Sequence, residues 1–176
     1  MKKITIYAKG KDRTGIISEI SKAINNCKGN IETSKMIKLE TDFNILALVE
    51  IDDSQIDVLE KKLNDISELS IEINDTGSTN DNNDNRLFYF RLKGADNEGI
   101  VYLFTSYFYN HKINILDLET EITNAPVTGQ PLFFLKSKLL FPLGVDSETV
   151  KSELIELSNI NNVAIKFERF NQPMDY

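Results

Sequence analysis

The chain has 176 residues, 41% of them hydrophobic and 27% charged, a balance that excludes a disordered, fibrous or membrane-embedded protein. Twenty Lys and Arg oppose 27 Asp and Glu, for a net charge of −7. Phosphate neutralisation supplies most non-specific nucleic-acid affinity, and anionic lipid attracts basic segments. This acidity therefore disfavours direct nucleic-acid or membrane-surface binding, unless a local basic patch overrides the average.

A lone cysteine, Cys27, and a lone histidine, His111, leave no internal disulfide, no cysteine zinc cluster and no histidine pair. No metal or cofactor is expected. The apolar stretch after Met1-Lys2-Lys3 ends at Lys9, short of the roughly 7–15 apolar residues of a signal-peptide core. No run approaches the ~18 residues of a membrane span. A cytoplasmic location is expected.

Ile4-Thr5-Ile6-Tyr7-Ala8 alternates as a strand. Gly10-Lys11-Asp12-Arg13-Thr14-Gly15-Ile16 then leads into a helix from about Thr14 to Asn26. Asp12 is placed to accept backbone N–H bonds and close the turn. Gly15 lets the backbone approach another group. The free N–H groups of the helix start suit a carboxylate; the plainer alternative is a well-capped helix start. Lys2, Lys3, Lys9, Lys11 and Arg13 make this end locally basic, either a solvated face or an attraction for anions. Cys27, in the last turn, reads as structural, because no helix N-terminus lowers its thiol.

Asn30 to Leu39 and Asn44 to Ile51 read as strands, with Glu40-Thr41-Asp42 turning between them. Asn30 is either a turn residue or a reader of polar groups, being both donor and acceptor. Ser54-Gln55-Ile56-Asp57 resembles a capping box, the Ser54 oxygen accepting an early helix N–H. Ile56, Leu59, Leu63 and Ile66 mark the buried face of that helix, and Leu69 to Ile73 forms a closing strand. Residues 75–85 carry no large apolar side chain and read as a linker.

Beyond the linker the pattern repeats. Gly10, Asp12, Gly15, Asn30 and Ile31 recur 84 residues on as Gly94, Asp96, Gly99, Asn114 and Ile115. Ile16, Ile17, Ile20 and Ile24 become Ile100, Val101, Phe104 and Phe108, one helical face conserved in character. Leu87 to Leu92 is a strand, Gly99 to Tyr109 a helix, and Ile113 to Thr123 and Leu132 to Phe141 are strands. The second copy is ten residues longer, and the insertion falls in a hairpin loop around Asn124 to Pro131, where two prolines oppose a ladder. A helix carrying Val150, Leu154 and Leu157, and a strand from Val163 to Phe167, complete it. His111 suits the negative helix end it follows, with no nucleophile or carboxylate partner signalled nearby. Phe88-Tyr89-Phe90 and Phe133-Phe134 read as packing residues rather than base-stacking platforms.

The expected fold is α+β: two ferredoxin-like βαββαβ domains, each a four-stranded antiparallel sheet with helices on one face. Residues 1–74 form the first, 75–86 a linker, 87–170 the second and 171–176 a tail.

Asp12-Arg13-Thr14-Gly15-Ile16-Ile17, followed by Asn30-Ile31-Glu32, resembles the ACT domain signature, as do Asp96, Gly99, Ile100, Val101, Asn114 and Ile115. Two such units alone, with Thr128-Gly129-Gln130-Pro131-Leu132-Phe133 in the longer hairpin, resemble the glycine cleavage system transcriptional repressor group. The chain departs from the ACT pattern at Thr14, where proline is usual, and at Asn97-Glu98, where Arg-Pro is usual. The resemblance implies a regulatory, non-enzymatic homo-oligomer that binds an amino acid such as glycine. By that analogy Asp12, Arg13, Thr14, Gly15, Ile16, Asn30 and Ile31 would contact the ligand, with Asp96, Gly99, Ile100, Asn114 and Ile115 as second-copy counterparts. No helix-turn-helix is evident, so transcriptional control would need a DNA-binding partner. The alternatives are an interaction module without ligand, or a remnant of a formyltetrahydrofolate deformylase-type regulatory domain.

Overall fold

The computed structural model describes residues 1–76, 86–124 and 129–170. The chain divides into two compact units, Met1–Asn80 and Asp81–Tyr176. The first runs β1 (Lys2–Lys11), α1 (Ile16–Asn26), β2 (Asn30–Leu39), β3 (Asp42–Ile51), a 3-10 turn (Asp53–Gln55), α2 (Ile56–Asn64) and β4 (Leu69–Asp75). The second runs β5 (Leu87–Ala95), α3 (Ile100–Asn110), β6 (Asn114–Asn124), β7 (Pro131–Leu140), α4 (Ser147–Ile160) and β8 (Val163–Arg169). Each sheet is four-stranded and antiparallel, ordered β2-β3-β1-β4 and β6-β7-β5-β8.

The duplication extends to backbone detail. Gly15 and Gly99 stand at φ 96° and 80°, Lys28 and Lys112 both at 56°, and Glu68 and Asn162 at 66° and 53°. The β2–β3 register slips between Ile31 and Thr33, and the β6–β7 register slips at the matching Ile115 and Asp117. Gly10 and Gly94 meet the same need. A Cβ on Gly10 would run into the Glu68 carbonyl oxygen, and one on Gly94 would lie 2.5 Å from Val163 Cγ1.

Strand alternation sorts the side chains. In the first unit Ile4, Ile6 and Ala8 of β1 and Phe43, Ile45, Ala47, Val49 and Ile51 of β3 pack beneath Ile16, Ile20 and Ile24 of α1 and Leu59 and Leu63 of α2. In the second, Phe88, Phe90 and Leu92 meet Phe104, Phe108, Val150 and Leu154. Phe90 lies 5.2 Å from both Phe104 and Phe108, ring to ring. Cys27 is buried in the first core, immediately past the α1 end.

Several local expectations need correction. Helix α1 begins at Ile16 rather than Thr14, because Gly15 is its left-handed N-cap. Ser54 does not cap α2: its backbone N–H and hydroxyl both donate to Asp52, at 2.9 and 2.6 Å. The hairpin ladder of the second unit reaches the Asn124–Pro131 pair, since a proline at a strand's first residue costs no ladder bond; residues 125–128 of that loop lie outside the described residues. His111 does have a carboxylate partner. Its Nε2 lies 3.2 Å from Glu153 Oε2, to which the Tyr107 hydroxyl also donates at 2.6 Å. Burial, then this carboxylate, pushes the Tyr107 phenol above its ordinary range.

Candidate functional site

Each unit presents the same turn from its first strand to its first helix. In the first unit the Asp12 N–H donates to the Thr41 carbonyl at 2.9 Å, so the turn is fastened to the β2–β3 hairpin. Intrahelical bonding begins with the Glu19 N–H on the Gly15 carbonyl at 2.9 Å. Gly15 and Gly99 each stand at the N-cap without a side-chain capping bond. The first N–H groups of α1 and α3 thus lack the side-chain acceptor that usually serves them. In α3 the Ile100 N–H is taken by the Asn97 carbonyl at 3.3 Å; in α1 the partial positive charge of the helix start is the one suited to an anion.

The charged residues of the first turn are held differently from the expectation. Asp12 does not cap its own turn: its carboxylate takes Lys38 of β2 at 2.7 Å. Arg13 forms a two-pronged bridge to Glu19, both bonds at 2.7 Å. That hydrogen bond holds the Glu19 carboxyl below its ordinary range and raises the Arg13 guanidinium. The pair rims a cleft of about 450 Å³ shared with Lys22, Asn26, Lys62 and Asp65. The basic end is likewise largely paired: Lys2 meets Asp75 at 2.8 Å, Lys3 meets Glu32 at 2.8 Å and Lys11 meets Asp42 at 3.1 Å.

Asn30 and Ile31 do not join Asp12, Arg13, Thr14, Gly15 and Ile16 within the unit. Asn30 is level with Glu50 and Lys3, whereas the turn follows Lys11, level with Asp42 and Leu39. Eight residue steps along β1 separate the two levels, about 27 Å at the usual rise. Asn114 and Ile115 are likewise level with Leu140 and Leu139, far from the Asp96–Gly99–Ile100 turn that follows Ala95 and Leu132. The cause is the crossover. An 11-residue helix carries the chain back about 16 Å, so each second strand starts at the end where the first began.

Sequence reasoning missed Lys38, Glu19 and Thr41. Glu19 was within reach of it, as an acid in a helix's first turn close after an arginine. Lys38 and Thr41 were not, because their approach to Asp12 depends on hairpin register. Among the described residues no cluster of three or more His, Cys, Asp or Glu could hold a metal ion. None of the described helices is long and apolar enough to cross a membrane.

Residues 2–74 match the family profile of the ACT domain. A crystal structure of an unknown protein from Galdieria sulphuraria superposes with a TM-score of 0.84 at 27% identity, covering 97% of this chain and 99% of that one. A candidate glycine cleavage system transcriptional repressor superposes at 0.63 with 16% identity, covering 97% and 98%; at that identity the likeness speaks to fold alone. A formyltetrahydrofolate deformylase from Pseudomonas putida overlays 49% of this chain on 30% of its own, at a TM-score of 0.42 and 16% identity, too loosely to carry an argument. No curated protein matches the chain in sequence. The chain is a tandem of two ACT-like folds.

Proposed function

We propose, with the ACT domain of residues 2–74 as premise, that the protein is a non-enzymatic regulator that senses a small amino acid and changes its association with partners. The observation that carries this is the repeated, side-chain-free helix start at Gly15 and Gly99. A ligand carboxylate would take the amides of Gly15, Ile16 and Ile17. Arg13 would contribute donors beyond the two given to Glu19. Asn30 and Ile31, at the sheet's far end, would reach the ligand only from a second copy of the chain, which ties binding to association. Ligand would then shift the population toward the assembled state by its differential affinity for it. The likeness to the candidate repressor suggests glycine as ligand and control of glycine cleavage genes through a DNA-binding partner.

The rival is an interaction module that binds no ligand. It is favoured by one fact: Asp12 and Arg13 already have internal partners in Lys38 and Glu19. A thermal-shift screen against the common amino acids separates the two. Binding stabilises by RT ln(1 + [L]/Kd), about 2.7 kcal/mol at a hundredfold excess over Kd. One amino acid should raise the melting temperature, and Gly15→Val should erase that rise. No shift with any amino acid leaves the ligand-free module.

A further inference from the structure

The copies agree in core, turn glycines and bulges, yet diverge in charge on the sheet face that carries no helix. In the first unit Tyr7 of β1 is flanked in register by Leu46 of β3 and Glu72 of β4. The corresponding row of the second unit is Arg91 on β5, flanked by Lys136 on β7 and Lys166 on β8. A row holding Tyr, Leu and Glu has become three cations on adjacent strands, spaced by about 4.8 Å per strand. Like charges directly opposite one another destabilise a sheet; Glu119 of β6, opposite Lys136, and Glu168, 2.6 Å from Lys166, relieve the two ends of the row. Lys93 and Lys138 extend the patch along β5 and β7. Three aromatic rings are interleaved: Arg91 lies 6.0 Å from the Tyr89 ring, Lys93 5.4 Å from Phe134 and Lys138 4.5 Å from Phe170. Tyr89 and Phe170 are themselves 5.2 Å apart. Phe88, Phe90 and Phe133, by contrast, are core.

We propose that this face binds single-stranded nucleic acid. Phosphates would lie along Arg91, Lys93, Lys136, Lys138 and Lys166, and bases would stack beside Tyr89, Phe134 and Phe170. Lys and Arg tracks with interleaved rings suit a single strand, because every base has a stacking face. A duplex hides those faces, and an acidic peptide lacks the ring at every charged unit that a nucleotide strand carries. Asp117, Glu119 and Glu121 line the neighbouring edge strand β6, partnered with Lys138, Lys136 and Phe134. They repel phosphate, confining the strand to β7, β5 and β8. The whole-chain charge of −7 does not forbid this, because binding responds to the local patch.

The test is fluorescence anisotropy of a labelled single strand of about 12 nucleotides with the full chain. Log affinity should fall with log salt at about −0.7 per phosphate engaged, hence a slope of about −2 to −3.5 for three to five contacts. Arg91→Gln, Lys136→Gln and Lys166→Gln are each expected to lower the slope by about 0.7, and the triple variant to weaken binding at least about tenfold near 50 mM salt. Tyr89→Leu should weaken binding without altering the slope. Lys61→Gln, on α2 of the other unit, should change neither. The proposal is overturned by absent binding at low salt, by a triple variant that binds as the natural chain does, or by equal competition from polyglutamate.

Discussion

Gly15→Ala isolates the backbone conformation on which the candidate site depends. Gly15 stands at φ 96°, and the nearest atom to an added Cβ would be Glu19 Oε1 at 3.7 Å, an ordinary contact. The methyl group therefore meets no clash, and the whole penalty is left-handed backbone strain, roughly 1–2 kcal/mol for an L-residue. With a urea m-value near 2 kcal/mol/M for a domain of this size, the unfolding midpoint of the first unit should fall by about 0.5–1 M. Gly99→Ala, at φ 80° with nothing within 4 Å, should lower the second unit's midpoint by a similar amount. Gly15→Asn should recover part of the loss, since Asn tolerates this region. Equilibrium urea unfolding followed by circular dichroism reads all three. An unchanged or higher midpoint for Gly15→Ala would refute the reasoning, because Gly→Ala stabilises by about 0.4–1 kcal/mol where the native φ suits alanine.

The strand glycines should behave differently from the turn glycines and from each other. Gly94→Ala crowds the Val163 side chain, so adding Val163→Ala should recover part of its stability; Gly10→Ala crowds the Glu68 backbone carbonyl, and no side-chain truncation should rescue it. Each should cost about 1–3 kcal/mol by denaturant titration. Leu154→Ala and Phe104→Ala empty fully buried positions of the second core and should cost about 2–5 and 3–5 kcal/mol respectively by the same titration. The Glu19 carboxyl is depressed by Arg13, so its contribution is present above the ordinary carboxylate range and lost as pH falls through its lowered value. Glu19→Gln should therefore lower the urea midpoint at neutral pH and converge with the natural chain in acid; a gap that persists in acid would contradict this.

The fold was legible because the sequence repeats itself. Apolar positions 84 residues apart had to serve the same helical face, and Ile16, Ile20 and Ile24 do pack as Ile100, Phe104 and Phe108 do. The turn glycines were legible for the same reason: they recur where a left-handed residue must precede a helix. What escaped was whatever depends on register. Lys38 reaches Asp12 only because β2 pairs with β3 so that the hairpin end stands beside the turn. Ser54 looked like a cap because its type suits one, but Asp52 lies two residues earlier and takes its N–H first. The Glu153 partner of His111 comes from a helix about forty residues away, a distance local pattern cannot bridge.

The basic face escaped through averaging. Lys136, Lys138, Arg91, Lys93 and Lys166 come from three segments and are joined only by strand pairing, while whole-chain charge pointed the other way. Asn30 was assigned to the Asp12 turn by analogy, although the topology alone places it at the opposite end of its sheet. That separation makes a second copy of the chain part of any site that uses both.

The central proposal is that the amides beginning α1 receive a carboxylate. Titrating the isotope-labelled chain with each common amino acid, and following backbone amide resonances, tests it most directly. For one amino acid, saturable shifts should concentrate at Gly15, Ile16 and Ile17, accompanied by Asn30 and Ile31 only where the chain self-associates. Amides at that turn that stay fixed through every titration, or that respond only in step with distant strand residues, would contradict it.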